Sequence, residues 1–336
     1  MGPTHQNARG RSKSVLVCGG AGYIGSHMVR LLADNGFSVT VLDNLSTGHA
    51  ESVSGFPLVR GDLLNAQDLE TAFKGGPFDA VFHFSALIAV GESVQEPEKY
   101  YLNNVAGTLN LLKAMGQHGV DRFVFSSTAA VYGNPTTDLI EETHALAPIN
   151  PYGWTKRMVE RVLEDYAAAT GLRSVSFRYF NAAGAHPDGS IGEAHDPETH
   201  LIPNVLLAAL QRRDGLSVFG DDYQTRDGTC IRDYIHILDI CGAHLSALDW
   251  MDREPGAHAF NLGNGNGFTT MEVIEAARRV TGVDIPVRIA PRREGDAAVL
   301  VADSGRAHSL LGWRPEYADL ESILETAWRW HRNPRY

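Results

Sequence analysis

A chain of 336 residues, 43% of them hydrophobic and 21% charged, is long enough for one large globular domain or two intimate ones. Its formal net charge of −11 argues against nucleic acid and anionic membrane as partners, although a few placed arginines can still receive an anionic small molecule. Three cysteines make no disulfide framework, and no stretch approaches the roughly 20 apolar residues of a transmembrane helix.

In chain order, Met1 to Ser14 is polar and basic, with neither the apolar run of a secretory signal nor a myristoylation site. Residues 1–13 read as a disordered tail, and the protein is expected in the cytoplasm. Buried strands are expected over Ser14 to Cys18, Ser38 to Asp43, Ala80 to Phe84 and Arg122 to Ser126, because each is a short apolar run. Helical spacing marks Ile24 to Asn35 and Val94 to His118 between them, then Tyr152 to Thr170, followed by a strand over Leu172 to Tyr179. This alternation predicts an α/β fold: a Rossmann-type, doubly wound parallel sheet over 14–181 with helices on both faces. After Asn181 the helices shorten (Ile202 to Arg213, Thr270 to Val280) and the loops lengthen. Residues 182–336 therefore read as a smaller α/β substrate-binding domain, with roughly 230–262 returning to the first.

Strand, glycine turn and helix start follow one another in Val15 to Gly25, with Gly19, Gly22 and Gly25 spaced GxxGxxG. Turn glycines let a pyrophosphate approach the backbone, and the helix N-terminus meets its charge. Asp43 ends the next strand, 18 residues after Gly25. A carboxylate there accepts hydrogen bonds from ribose hydroxyls and repels a 2′-phosphate, so NAD is expected over NADP; the plainer alternative is a turn or capping Asp. Asp62 is placed either for the adenine edge or for a cap.

Ser126-Ser127-Thr128 follow a strand, at the end where a parallel sheet meets its ligand. Tyr152 and Lys156 stand four apart at a helix start after Pro151, hence on one face. A phenol is a poor base at its usual pKa near ~10, and a neighbouring ammonium lowers that value. Among eleven tyrosines and five lysines, Tyr152 is the one Tyr with a Lys four residues on. A surface pair and an ordinary Ser/Thr turn are the competing readings. His195 and His200 lie five apart with no matching cysteines, so no metal site is expected.

With these segments in hand, the chain resembles the UDP-glucose 4-epimerase family of extended short-chain dehydrogenases/reductases, from about Ser14 to Trp330. The resemblance rests on Gly19-Gly20-Ala21-Gly22-Tyr23-Ile24-Gly25-Ser26-His27, Asp43-Asn44-Leu45-Ser46-Thr47-Gly48 and Ala89-Val90-Gly91-Glu92-Ser93. It continues through Ser126 to Gly133, Tyr152-Gly153-Trp154-Thr155-Lys156, Arg178-Tyr179-Phe180-Asn181, Asp227 to His236, and Arg293-Glu294-Gly295-Asp296.

The resemblance implies that Tyr152 takes the proton of the sugar 4-hydroxyl while hydride leaves C4 for a tightly held NAD, with Lys156 and Thr128 beside it. It further implies NAD contacts at Tyr23, Ile24, Asn44, Ser46, Thr47, Gly48, Asp62, Leu63, Phe84, Ser85, Ala86, Asn104, Ser126 and Tyr179. For the UDP-sugar it implies Asn181, the backbone near Leu201, Ser217 and Phe219, and Tyr234. Arg232 and Arg293 would neutralise the phosphates, and Asp296 would meet the ribose. His200 stands where some members carry asparagine, Ile88 where many carry lysine, and Leu300 where a bulky tyrosine often stands. The last change leaves room for an N-acetyl group, so UDP-GlcNAc/UDP-GalNAc or a UDP-pentose are further expected substrates. Ala129 and Ala130 replace the acid-base residues of related dehydratases and decarboxylases, which favours chemistry limited to C4. A net sugar-nucleotide oxidoreductase and a non-catalytic NAD sensor are the rival classes. Family members pair through the helices that hold Asn104 and Tyr152, so a homodimer is expected.

Overall fold

The computed structural model describes residues 13–293 and 296–336, and the chain divides into two compact units. The first comprises residues up to Gly133, Ala145–Arg178 and Cys241–Phe260; the second comprises Asn134–His144, Tyr179–Ile240 and Asn261–Tyr336.

In the first unit, runs of apolar residues too continuous for a one-sided strand form the middle of a parallel sheet. Its strands are β1 (Ser14–Cys18), β2 (Ser38–Asp43), β3 (Leu58–Arg60), β4 (Ala80–His83) and β5 (Arg122–Ser126), joined by Arg173–Tyr179 and, at the edge, Ala257–Leu262. From that edge inward the order is Ala257–Leu262, Arg173–Tyr179, β5, β4, β1, β2, β3. All ladders from β3 to Arg173–Tyr179 are parallel, with Val15 opposite both Val39 and Ala80. Parallel pairing requires crossovers, and helix α1 (Tyr23–Asp34) supplies the first one. Chain order reverses between β1 and β4, which makes their carboxyl ends the switch point where such sheets bind ligands. Leu16, Cys18, Val81 and Phe123 lie fully buried in the core beneath.

The second unit is built on three helices, Leu201–Ala209, Thr270–Thr281 and Leu320–Arg332, which close over Val205, Leu206, Val273, Ile274, Ile323 and Leu324. Thr269 and Glu272 form a reciprocal capping box at the start of Thr270–Thr281. Short strands flank this core, Leu216–Phe219 pairing in parallel with Val287–Ala290.

Three local expectations change. Val94 to His118 is not one helix but Val90–Gln95, Pro97–Tyr100, a π-helical turn Tyr101–Ala106 and Gly107–Gln117. Pro97 has no N–H to continue the first of these. Ile237–Arg253, at 17 residues, is longer than the helices expected past Asn181. Of the tail expected over 1–13, residues 1–12 lie outside the described residues, whereas the Lys13 carbonyl accepts from Ser38 N–H and belongs to the fold. Among the described residues no helix is long and apolar enough to cross a membrane.

Candidate active site

At the switch point, Gly19 has φ +74°, and a Cβ on it would come 2.5 Å from Ser85 N in the loop after β4. A Cβ on Gly25 would meet Gly19 O at 2.1 Å. Both positions therefore exclude any side chain, and the loop leaves a backbone-lined cradle. Gly22 caps α1 without a side-chain bond and no acidic residue occupies its first turn, so the helix end favours a negative group. Tyr23 and Ile24, half-buried, open that helix. These features fit the pyrophosphate of a dinucleotide.

Asp43 closes the loop from the end of β2. Its Oδ2 accepts from Ala21 N at 2.9 Å and its Oδ1 from Leu45 N at 2.8 Å. Burial raises its pKa, and these two amides oppose the rise. Each carboxylate oxygen retains a lone pair for a ribose hydroxyl. Asn44 donates to Asp62 Oδ2 at 2.9 Å, and Asp62 Oδ1 accepts from Leu64 N at 2.8 Å. Asp62 thus serves a turn beside buried Leu63. Ser46 and Thr47 are exposed, and Gly48 packs against Ala21. Phe84, Ser85 and Ala86 are half-buried after β4. Buried Asn104, inside the π-helical turn, clamps Leu87 by both its N–H and its carbonyl and donates to Thr155 Oγ1 at 3.0 Å.

The reacting set assembles from β5 and the helix Pro151–Thr170. Asn150 caps that helix by accepting from Gly153 N at 2.8 Å, and Pro151 occupies its first turn. The Thr128 hydroxyl lies close enough to the Tyr152 phenol to lower its pKa, and Thr128 Oγ1 accepts from Ala130 N at 3.1 Å. One turn on, Lys156 Nζ donates to Ser126 O at 2.7 Å and stands 5.9 Å from the Tyr152 ring centroid. Burial pulls the Lys156 amine down to about 7, with Glu160 opposing. Burial also pushes the Tyr152 phenol up, and the Thr128 hydroxyl opposes it.

Glu160, a further turn along, was not singled out from sequence. Its Oε1 accepts from Ser127 Oγ at 2.6 Å and Arg178 Nε at 2.9 Å, and its Oε2 from Arg178 Nη2 at 2.7 Å. Arg178 Nη1 then reaches Tyr132 Oη at 3.0 Å. The signal available was a Glu four residues after the lysine and an Arg at the end of the following strand.

In the second unit, Tyr179 is buried, and Asn181 donates from both backbone and side chain to Asp233 O. Asp233 is itself buried and gathers the amides of Asn264, Gly265 and Ala302. Tyr234 beside it is buried. Arg232 Nη1 donates to Ala297 O at 2.8 Å, and its Nη2 lies 3.5 Å from Asp296 Oδ1. Arg293 stacks 3.9 Å over the Phe219 ring, and Ser217 Oγ receives Arg288 at 3.2 Å. Within the Arg293-to-Asp296 motif, Glu294 and Gly295 lie outside the described residues. Leu300 is half-buried, opposite Arg232 in a parallel ladder. His200 caps the helix that Leu201 begins, and its Nδ1 is 2.8 Å from Glu193 Oε1 and 3.0 Å from Glu198 Oε1. Burial alone would lower the two imidazoles, but hydrogen bonds to these carboxylates raise His195 to about 9 and His200 to about 10.

The family model for the NAD dependent epimerase/dehydratase family matches residues 15–263. A UDP-glucose 4-epimerase of Halalkalibacterium halodurans is 52% identical over 319 residues, 95% of this chain and 96% of the relative. A crystal structure of a UDP-glucose 4-epimerase superposes with a TM-score of 0.94 at 50% identity, covering 96% of this chain and 98% of that one. The Brucella ovis UDP-glucose 4-epimerase, solved with NAD, gives 0.92 at 48% identity, covering 94% and 98%. With a glycine cradle at the switch point, a Tyr152–Thr128 pair over a buried lysine and this likeness along nearly the whole chain, the protein belongs to the UDP-glucose 4-epimerases of the NAD-dependent epimerase/dehydratase family.

Proposed function

We propose that this chain interconverts UDP-galactose and UDP-glucose by transient oxidation at C4 of the sugar. The observation that carries the reading is Lys156 Nζ, tethered to Ser126 O, standing 5.9 Å from the Tyr152 ring, with the Thr128 hydroxyl beside the phenol. NAD, when bound, takes the C4 hydride and returns it. Tyr152 Oη removes the proton of the 4-hydroxyl and gives it back, and the Thr128 hydroxyl shares a hydrogen bond with the same sugar oxygen. Lys156, tethered to Ser126 O, contributes positive charge that favours phenolate. Ala129 and Ala130 supply no second acid or base, which limits the chemistry to C4.

In this reading the first unit holds NAD through the cradle of Gly19, Gly22 and Gly25, Asp43, and the loop after β4. The second holds the UDP-sugar through Asn181, His200, Leu201, Ser217, Phe219, Arg232, Tyr234, Arg293 and Asp296. A homodimer formed by the helices Gly107–Gln117 and Pro151–Thr170 completes the proposal. Its support is the exposure of Leu102, Leu109, Trp154 and Met158, large apolar side chains on these helices and the turn before them. Work in the cytoplasm accords with three free cysteines. A second reading, activity on UDP-N-acetylhexosamines or UDP-pentoses as well, rests on Leu300 at the position beside the sugar. Such trimming shifts preference by about 1–3 kcal/mol.

The test is to incubate purified protein, without added cofactor, with UDP-galactose and to follow products by anion-exchange chromatography. UDP-glucose without net NADH release is expected; stoichiometric NADH with no epimer would replace the reading by a dehydrogenase. Parallel runs with UDP-GalNAc and UDP-arabinose test the second reading, and Leu300→Tyr should suppress the N-acetyl substrate selectively.

A further inference from the structure

In the second unit, Glu193, His195, Glu198 and His200 each offer one potential ligand atom, and these atoms all lie within 4.8 Å of one another. His195 Nδ1 lies 3.0 Å from Glu193 Oε1 and 3.7 Å from Glu198 Oε2, and His200 Nδ1 lies within 3.0 Å of both carboxylates. Four ligands about a zinc ion at bonds of about 2.0–2.1 Å stand roughly 3.3 Å apart, inside this range of separations.

Charge and burial separate the cluster from an exposed acidic patch. The Glu193 and Glu198 side chains are only 4% and 9% exposed, so two carboxylates are taken largely out of water. Two carboxylate oxygens and two imidazole nitrogens so close together make the mixed nitrogen and oxygen donor set that zinc accepts. The segment is also braced from outside. Trp330 Nε1 donates to Glu193 O at 2.8 Å, Tyr336 Oη binds both N and O of Gly192, and a Cβ at Gly192 would strike the Trp330 ring at 2.3 Å. The backbone at the start of this segment, Gly192 and Glu193, is therefore held by the helix Leu320–Arg332 and the residues after it.

We propose that Glu193, His195, Glu198 and His200 form a structural divalent-metal site that takes zinc or a transition ion of similar chemistry. Two imidazoles with two carboxylates suit zinc, cobalt or nickel and are poor for magnesium, which prefers an all-oxygen octahedron. The ion ties the 193–198 loop to His200 at the N-cap position of the helix Leu201–Ala209 through Nδ1, leaving Nε2 for the UDP-sugar contact proposed above. The sequence reading weighed the two histidines against absent cysteines; the other ligands proposed here are glutamates two residues before each histidine.

The test uses the full-length chain without a histidine tag, freed of metal by chelator and titrated with zinc chloride by calorimetry. Expected results are one zinc per chain with sub-micromolar Kd, a higher unfolding midpoint with zinc than without, and at least tenfold weaker binding in His195→Ala and Glu198→Gln. Magnesium chloride should give none of these effects, and Cys230→Ser should bind as the wild type does. X-ray absorption at the zinc edge of the wild-type complex should show nitrogen and oxygen ligands including two imidazoles. Absence of binding, unchanged affinity in both ligand variants, or a sulfur shell would overturn the proposal. The spectroscopic arm keeps it open to refutation even where a variant fails to fold. No step of this test reads epimerase activity, so its failure leaves the C4 reading untouched.

Discussion

Glu160 has 4% of its side chain exposed and faces Arg178, which has 6%. A pair so withdrawn from water contributes less through its attraction than it costs when one partner is removed. Glu160→Gln removes the carboxylate charge that faces the buried Arg178 guanidinium, so about 3 kcal/mol of stability should be lost in urea unfolding. A loss below about 1 kcal/mol would mean water already reaches the pair. Ser127, adjacent to Thr128, is held by the same carboxylate, so the variant should also lower turnover without abolishing it. Lys156 carries a pH signature. Its folded value of about 7 lies below its ordinary 10.5, so between those values the unfolded chain binds the extra proton. The stability of the cofactor-free protein from this group therefore rises as pH climbs above about 7, and the burial penalty is fully present below. Measured against Lys156→Met, the wild type should gain stability from pH 7 to 9; a flat difference would show the amine is charged in the folded state.

Among elements, the strand–turn–helix formed by β1, the glycine loop and α1 tolerates little change. Gly25→Ala places a methyl group 2.1 Å from Gly19 O, so the loop must open. The variant should purify with much less nucleotide, by chromatography of a perchloric acid extract, while its far-ultraviolet circular dichroism stays unchanged. Nucleotide content equal to wild type would show that the cradle tolerates a shift. This unit was readable from sequence because its rules are local: a buried apolar run, glycines at fixed spacing and an acid at the next strand's end. The Tyr152 and Lys156 spacing was readable for the same reason, since four residues on a helix always share a face. What escaped was non-local. Glu160 reads as a solvated charge until Ser127 and Arg178 close around it, and Val94 to His118 reads as one helix because a π-helical turn leaves the apolar spacing almost intact. Glu193 and Glu198 acquire a common focus with the histidines only once the loop is folded.

On the scale of the whole molecule, the exposed apolar residues on the helix bearing Tyr152 and on the π-helical turn Tyr101–Ala106 are the feature to explain. Leu102 is 50% exposed, Trp154 42% and Met158 40%, which is costly for large apolar side chains unless covered. Light scattering after gel filtration should give twice the 36.6 kDa chain mass, and Leu102→Glu with Met158→Glu should halve it. A wild-type monomer at micromolar concentration would end the dimer proposal.

The division of the chain also bears on its synthesis. The polypeptide passes from one unit to the other five times, and the edge strand of the first unit's sheet, Ala257–Leu262, lies far towards the C-terminus. A ribosome must therefore translate as far as Leu262 before that sheet gains its last strand, and until then Arg173–Tyr179 offers an unpaired edge. Neither unit can be released early as a finished product by truncation. The nascent chain has a long window in which chaperones, rather than its own later residues, guard that edge.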